Sequence, residues 1–409
     1  MPLTKLTTAI DTEIAALQAE GRLKGKENII TRIIPPSGSK GPRYLLKGKS
    51  EQQFIKMNSN SYLGVSLLPE LIEKEHEISQ QFGVGPGAVR FISGTHQPQR
   101  DLEKRLARFH GREDAIIYSS AYSAVLGTIS SLLTPETIII SDALNHNCII
   151  NAMRLAKPAD KKIYAHNNMI ELENQIESSI GQAKRLIIVT DGVFSMRGDY
   201  APLDKIRALT DQFDAKFDEG IILIVDDSHG VGAYGATGRG TEEIKQTQAD
   251  ILIGTLGKAF GVNGGYAVSS EKVVNYLREK AITYIYSNPI TAGEAATAQT
   301  VIDLLNSPWG VARLQHLSSL TAQFGQGLQA LGYEIIESEH PIVPLMVRDT
   351  DKTRDLVSYL LTNGVLATGL NYPVVPKGDQ SIRFQINADH TATDIDEVLH
   401  VLKVYKQTR

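Results

Sequence analysis

Residues Ile221–Gly230 read I-I-L-I-V-D-D-S-H-G, and residues Asp250–Gly261 read D-I-L-I-G-T-L-G-K-A-F-G. The apolar runs Ile221–Val225 and Ile251–Ile253 are hydrophobic on both faces, the pattern of strands buried within a parallel sheet. Each run ends in polar residues: Asp226, Asp227 and His229 after the first, Thr255 and Lys258 after the second. Ligands of open α/β sheets bind outside the carboxyl ends of the strands. Two acids, a histidine, a threonine and a lysine are therefore expected at one sheet edge.

A lysine close to apolar strands is desolvated, which lowers its pKa and makes its amine nucleophilic toward a carbonyl. A carboxylate beside a pyridine nitrogen keeps that nitrogen protonated and turns the ring into an electron sink. Those are the requirements of pyridoxal phosphate. Taken singly, Lys258 reads equally well as a surface lysine after a strand, and Asp226 as a helix cap. The set, on two strand ends about thirty residues apart, carries the cofactor reading.

The runs D-D-S-H-G-x-G and T-L-G-K-A-F-G resemble those of the α-oxoamine synthases, a branch of the fold-type-I pyridoxal phosphate enzymes. These condense an amino acid with an acyl thioester. The resemblance implies an α/β fold of the aminotransferase type. Its large domain holds a mostly parallel seven-stranded sheet between helices, and a smaller α/β domain follows it. Expected boundaries are an N-terminal arm over 1–57, a cofactor-binding domain over 58–300 and a small domain over 301–409.

Composition agrees with an ordinary enzyme. The 409 residues can bury a large core and exceed one typical domain. Charged residues are 22% and hydrophobic ones 42%, and the net charge of −4 argues against a nucleic acid partner. Cys148 is the only cysteine, so no intrachain disulfide can form. No apolar run approaches the roughly twenty residues of a membrane span, and residues 1–20 lack the order of a secretory signal. A cytoplasmic enzyme is expected.

Along the chain, Leu6, Ile10, Ile14 and Leu17 are spaced for an amphipathic helix over 3–23. It is either an arm for a partner subunit or a helix of its own domain. Tyr44–Leu46 and Phe54–Met57 are expected strands. Asn58–Gly64, N-S-N-S-Y-L-G, is an irregular crossing; the resemblance gives Asn60 to the substrate carboxylate, and an Asx-turn is the alternative. Gly83–Gly94 contains G-x-G-x-x-A, but a helical pattern precedes it, so it is not a dinucleotide fingerprint. V-R-F-I-S-G-T instead resembles the glycine C-acetyltransferase (2-amino-3-ketobutyrate CoA ligase) branch. Gln99 stands where the family has a histidine, and Val125 where it has an asparagine.

Further expectations come from the same resemblance. Ala121 and Tyr122, at a helix start suited to phosphate, hold the cofactor phosphate with Thr255. His146 stacks on the pyridine ring. Ser195, in D-G-V-F-S-M-R-G-D-Y, and His229 meet the ring hydroxyl. Asp226 pairs with the ring nitrogen, three residues before the histidine. Lys258 carries the cofactor. Asp191 is taken as structural. Ser287 and Asn288 reach a partner subunit's phosphate, which implies a homodimer with shared sites. Arg383, in N-Y-P-V-V-P-K-G-D-Q-S-I-R-F, clamps the amino-acid carboxylate; an exposed edge charge is the other reading.

The expected reaction joins a small amino acid, glycine favoured, to an acyl-CoA, acetyl-CoA favoured. A carrier-protein thioester is the alternative donor. Rival readings are a decarboxylating synthase using alanine or serine with a longer chain, an aminotransferase, or a cofactor-bound protein without catalysis.

Overall fold

The computed structural model describes residues 3–20, 22–23 and 27–408. Three strands open the chain: β1 (Ile30–Ile34), β2 (Arg43–Leu46) and β3 (Gln53–Lys56). Seven follow: β4 (Asp114–Tyr118), β5 (Thr137–Asp142), β6 (Asp160–Tyr164), β7 (Arg185–Asp191), β8 (Ile221–Asp226), β9 (Ile251–Thr255) and β10 (Gly265–Ser269). Four close it: β11 (Ile342–Met346), β12 (Val365–Leu366), β13 (Thr368–Leu370) and β14 (Ser381–Gln385).

The middle seven strands form one sheet in the order β4-β10-β9-β8-β7-β5-β6. Only β10 runs antiparallel to its neighbours. β8 and β9 are adjacent and parallel, with Ile224 opposite Ile251. Their residues alternate between two apolar clusters. Leu223, Val225 and Leu252 pack on one face, Ile224, Ile251 and Ile253 on the other. Both faces are covered, which is why these strands read as unbroken apolar runs. Each buried aliphatic side chain contributes about 1.5–3 kcal/mol. Because β5, β7, β8 and β9 are parallel, Asp142, Asp191, Asp226 and Thr255 end at the same edge.

Five helices matter for the site or its surroundings: α1 (Thr4–Ala19), α2 (Pro69–Phe82), α3 (Gln97–Phe109), α4 (Ala121–Leu132) and α5 (Asn147–Leu155). α1 is shorter than the expected 3–23; residue 21 lies outside the described residues. No residue of α1 is buried, and Leu6, Ile10 and Ile14 face outward, so the helix does not pack into its own chain. The start of α3 is capped by Gln99, three residues into the helix, whose Oε1 accepts from His96 N. No helix among the described residues is long and apolar enough to cross a membrane.

The C-terminal part carries a three-stranded sheet, β11-β14-β13. Helices Pro308–Ala330, Thr350–Thr362 and Ala392–Thr408 accompany it. A second sheet, β1-β2-β3-β12, joins residues 30–56 to this part, with Ile55 paired to Val365 in parallel. The two-residue β12 and the exposed β1 carry no alternation that would have marked them in the sequence.

Candidate active site

The C-terminal ends of β7 and β8 and the turn after β9 enclose one cavity. Asp226, His229 and Lys258 line it, with Ala121, Tyr122, His146 and Ser195 opposite. Seven residues expected at the site from the sequence thus meet in a single space.

Lys258 follows β9 on a turn, L-G-K-A-F-G, in which Gly261 N donates to Lys258 O at 3.1 Å. Burial lowers its ammonium pKa to about 8, against the opposing pull of Asp226, with the Arg383 charge adding to the fall. Asp226 Oδ1 accepts from Ser228 N at 3.1 Å and from Ser228 Oγ at 2.5 Å, and Oδ2 faces Cys148 Sγ at 3.6 Å. The neighbouring Asp227 points the other way. It is wholly buried, accepts from Thr241 N and Oγ1 at 2.6 and 2.8 Å, and is hemmed in by Gly192 and Gly240, where a Cβ would strike its carboxylate. Burial raises it to about 7. The two adjacent acids are divided by the strand's alternation: one faces the cavity, the other anchors the glycine-rich loop behind it.

His146 is the N-cap of α5, its Nδ1 accepting from Cys148 N at 3.3 Å. Burial lowers its pKa, offset in part by Asp226, so the ring is neutral near pH 7. His229 is buried and held well below the usual imidazole range, by desolvation first and then by Lys258 and Arg383. Ser195 sits on the loop after β7, which folds back through Phe194 N to Asp199 O at 2.9 Å.

Ala121 and Tyr122 begin α4, capped by Ser120, whose Oγ accepts from Ser123 N at 3.0 Å. The first N–H groups of α4 point toward the cavity end of the sheet, an anion-binding arrangement. Gly265 is paired with Tyr118 on one side and Thr255 on the other, so Thr255 and the start of α4 flank it. A side chain at Gly265 would collide with the Ala121 backbone, which keeps this end open. Thr255 is buried, accepts from Gly257 N at 3.1 Å, and is not on the cavity wall itself.

Arg383 lies on β14, the central strand of its sheet, not on an edge. It is buried and its Nη2 donates to Asn60 Oδ1 at 2.8 Å, so the two residues expected to hold a carboxylate are already joined. Ser287 and Asn288 follow the short helix Ile282–Ile285. Asn288 is exposed, and neither is brought to the cavity of its own chain.

Gln99, where the family has a histidine, does not line this cavity. Gln99 is wholly buried, its Oε1 accepts from His96 N at 2.6 Å and its Nε2 donates to Ile290 O at 2.7 Å. The amide is consumed by the α3 cap. Val125 packs in the apolar cluster beneath α4 and does not line the cavity either.

Three residues were not assigned to the site from the sequence. Cys148 lies between His146 and Asp226, its Sγ 2.9 Å from His146 Nδ1; its position two residues after the histidine was the available signal. Asp191 lines the cavity, where its Oδ2 accepts from His146 N at 3.1 Å and its Oδ1 has no hydrogen-bond partner among the described residues. Tyr62, inside N-S-N-S-Y-L-G, places its hydroxyl 2.7 Å from His229 Nδ1.

These residues fit pyridoxal phosphate. The cavity offers an amine of lowered pKa, a carboxylate, two neutral imidazoles and a helix N-terminus, with an orphaned buried oxygen on its wall. Among the described residues no cluster of side chains suits a metal ion.

Residues 52–402 match the family model described as aminotransferase class I and II. The chain is 37% identical over 397 residues to the mitochondrial 2-amino-3-ketobutyrate coenzyme A ligase of Bos taurus, covering 96% of this chain and 90% of the relative. It is 40% identical over 369 residues to 8-amino-7-oxononanoate synthase 1 of Bacillus velezensis, covering 89% and 90%. Among solved structures, the serine palmitoyltransferase of Sphingomonas wittichii superposes with a TM-score of 0.88 at 26% identity, over 99% of this chain and 98% of that one. A serine palmitoyltransferase from S. paucimobilis with bound PLP and myriocin gives 0.87 at 25%, with the same coverage. The fold, the lysine cavity and these relatives agree: the chain belongs to the pyridoxal-phosphate-dependent α-oxoamine synthases, enzymes built on the class I and II aminotransferase fold.

Proposed function

We propose that this enzyme condenses a small amino acid, glycine first, with an acyl-CoA, acetyl-CoA first, and releases the thiol. The observation that carries the reading is the buried Arg383–Asn60 pair, whose charge acts on the same Lys258 that shares a cavity with Asp226. Bound in that cavity, pyridoxal phosphate supplies an aldehyde carbon and an electron-withdrawing ring.

The chain's own residues divide the work. Lys258 would hold the cofactor through its amine, and its Nζ, when free, would take the α-proton of the substrate. Its lowered pKa suits both tasks. Asp226 pairs with the ring nitrogen, His146 covers the ring face, and Ser195 and His229 meet the ring hydroxyl. The start of α4 at Ala121 and Tyr122, with Thr255, holds the phosphate. Arg383 and Asn60 take the amino-acid carboxylate, a bidentate contact suited to a guanidinium. We place Ser287 and Asn288 at the phosphate of a second subunit in a homodimer. The unpacked apolar side of α1 and the exposure of Asn288 support that assembly. The cytoplasm is the proposed compartment, on the single cysteine and ordinary composition.

A second reading has its own support. A cavity walled by Leu144, Phe194, Met196, Met346, Val374 and Val375, with Arg197, Asp379 and Ser381 also on its lining, touches Ser195 and so adjoins the lysine cavity. It would suit an acyl chain longer than acetyl, as in a synthase using alanine or serine. Thiol release measured over acetyl, medium-chain and long-chain CoA donors, with glycine, alanine and serine in turn, decides between the two. A preference for a long chain with alanine or serine overturns the first reading. No thiol release with any pair, despite bound cofactor, overturns both.

A further inference from the structure

Tyr62 is a wholly buried residue at φ +41°, a backbone conformation that a tyrosine adopts only when its surroundings impose it. Its carbonyl is held by Ala388 N at 2.5 Å, which ties the crossing segment to the small domain after β14. Its hydroxyl stands 2.7 Å from His229 Nδ1, and the Arg383 charge is near enough to act on it.

The direction of the Tyr62–His229 bond follows from donor counting. Burial pushes the phenol pKa well above its ordinary value, so the hydroxyl keeps its proton at neutral pH. That proton needs an acceptor, and His229 Nδ1 is the one in place; an unpaired buried O–H would be costly. Neutral imidazole carries one proton, which then resides on Nε2. His340 secures the same histidine from behind. Its Nδ1 accepts from Ile342 N at 3.1 Å, so its Nε2–H donates to His229 O at 2.9 Å. His340 also meets the Tyr62 ring edge-on, with centroids 5.5 Å apart.

We infer that Tyr62 is a positioning residue that fixes His229 as the Nε2–H tautomer. The donors run one way, from Tyr62 to His229 and into the cavity, where Nε2–H meets an acceptor. A cofactor phenolate oxygen is such an acceptor. The inference rests on the assignment of His229 to that oxygen made above.

The first measurement uses the unaltered, unloaded chain with ¹⁵N-labelled histidine, the His229 signals being identified by their loss in His229→Gln. An unprotonated Nδ1 and a protonated Nε2 are expected; the opposite tautomer overturns the inference. Because no cofactor is present, this result stands even if the cofactor assignment fails. The second compares Tyr62→Phe with Tyr234→Phe in the loaded enzyme. Tyr234 meets His340 edge-on and its hydroxyl has no partner among the described residues. Tyr62→Phe is expected to displace the pH midpoint of the cofactor's visible band, while Tyr234→Phe leaves it in place. A folded Tyr62→Phe with an unaltered band titration shows that Tyr62 is only packing.

Discussion

Asp191 and Asp226 are register partners at the ends of β7 and β8, so two buried carboxyl groups share one wall of the Lys258 cavity. Burial, and after it the charge of Asp226, drives Asp191 well above the ordinary carboxylate range, which favours its protonated form. Asp191→Asn mimics that form and keeps an acceptor for His146 N. Turnover of this variant is expected to stay within about threefold, less than 1 kcal/mol, whereas Asp191→Ala should lose more. Steady-state kcat/KM for the two variants is the check, and an inactive Asn variant would place a charge on Asp191.

The acids at 226 and 227 should separate by function. Asp226→Asn is expected to keep the fold and lose about a hundredfold or more in turnover, the scale of one preorganised electrostatic group. Asp227→Asn should act on stability instead. Asp227 binds its proton more readily folded than unfolded, so its share of stability is present in acid and is lost as pH climbs from about 4 toward about 7. An asparagine mimics the protonated acid, so this variant should flatten the stability profile across that window. Denaturant midpoints at several pH values test it; greater loss of turnover at Asp227 would reverse the two assignments.

Only the neutral amine of Lys258 attacks an aldehyde. With its pKa lowered to about 8, the unloaded protein should capture pyridoxal phosphate with a rate that rises through about pH 8, where an exposed lysine would still be protonated. Loss of the Arg383 charge in Arg383→Met should move that midpoint upward, and Asp226→Asn should move it downward, because the two charges act in opposite directions. The visible band of the loaded protein should vanish in Lys258→Ala together with turnover. A wild-type protein that stays colourless with added pyridoxal phosphate would refute the site.

Gln99→Ala removes the α3 capping bond to His96 N and the bond to Ile290 O from a wholly buried amide. It should cost about 2 kcal/mol of stability and leave the choice of acyl donor unchanged. Gln99→His should behave alike. Chemical denaturation and the donor series above measure the two effects independently; an altered donor preference at wild-type stability would return Gln99 to the site.

The central strands, the polar residues at their ends and the lysine turn were legible because burial on both faces leaves an unbroken apolar run, and a strand's carboxyl end is where polar residues collect. Local pattern determined that Ile221–Asp226 and Ile251–Thr255 are strands and that Asp226 and Lys258 end up close together. The family's motifs added the rest of the expected constellation. What local sequence cannot carry is contact between distant segments. Arg383 meets Asn60 across more than three hundred residues, and Tyr62 meets His229 across 167. The pairing of β3 with β12 and the retreat of Gln99 into a helix cap arise the same way. These contacts depend on how the two parts of the chain close over the sheet edge, and only the tertiary structure decided them.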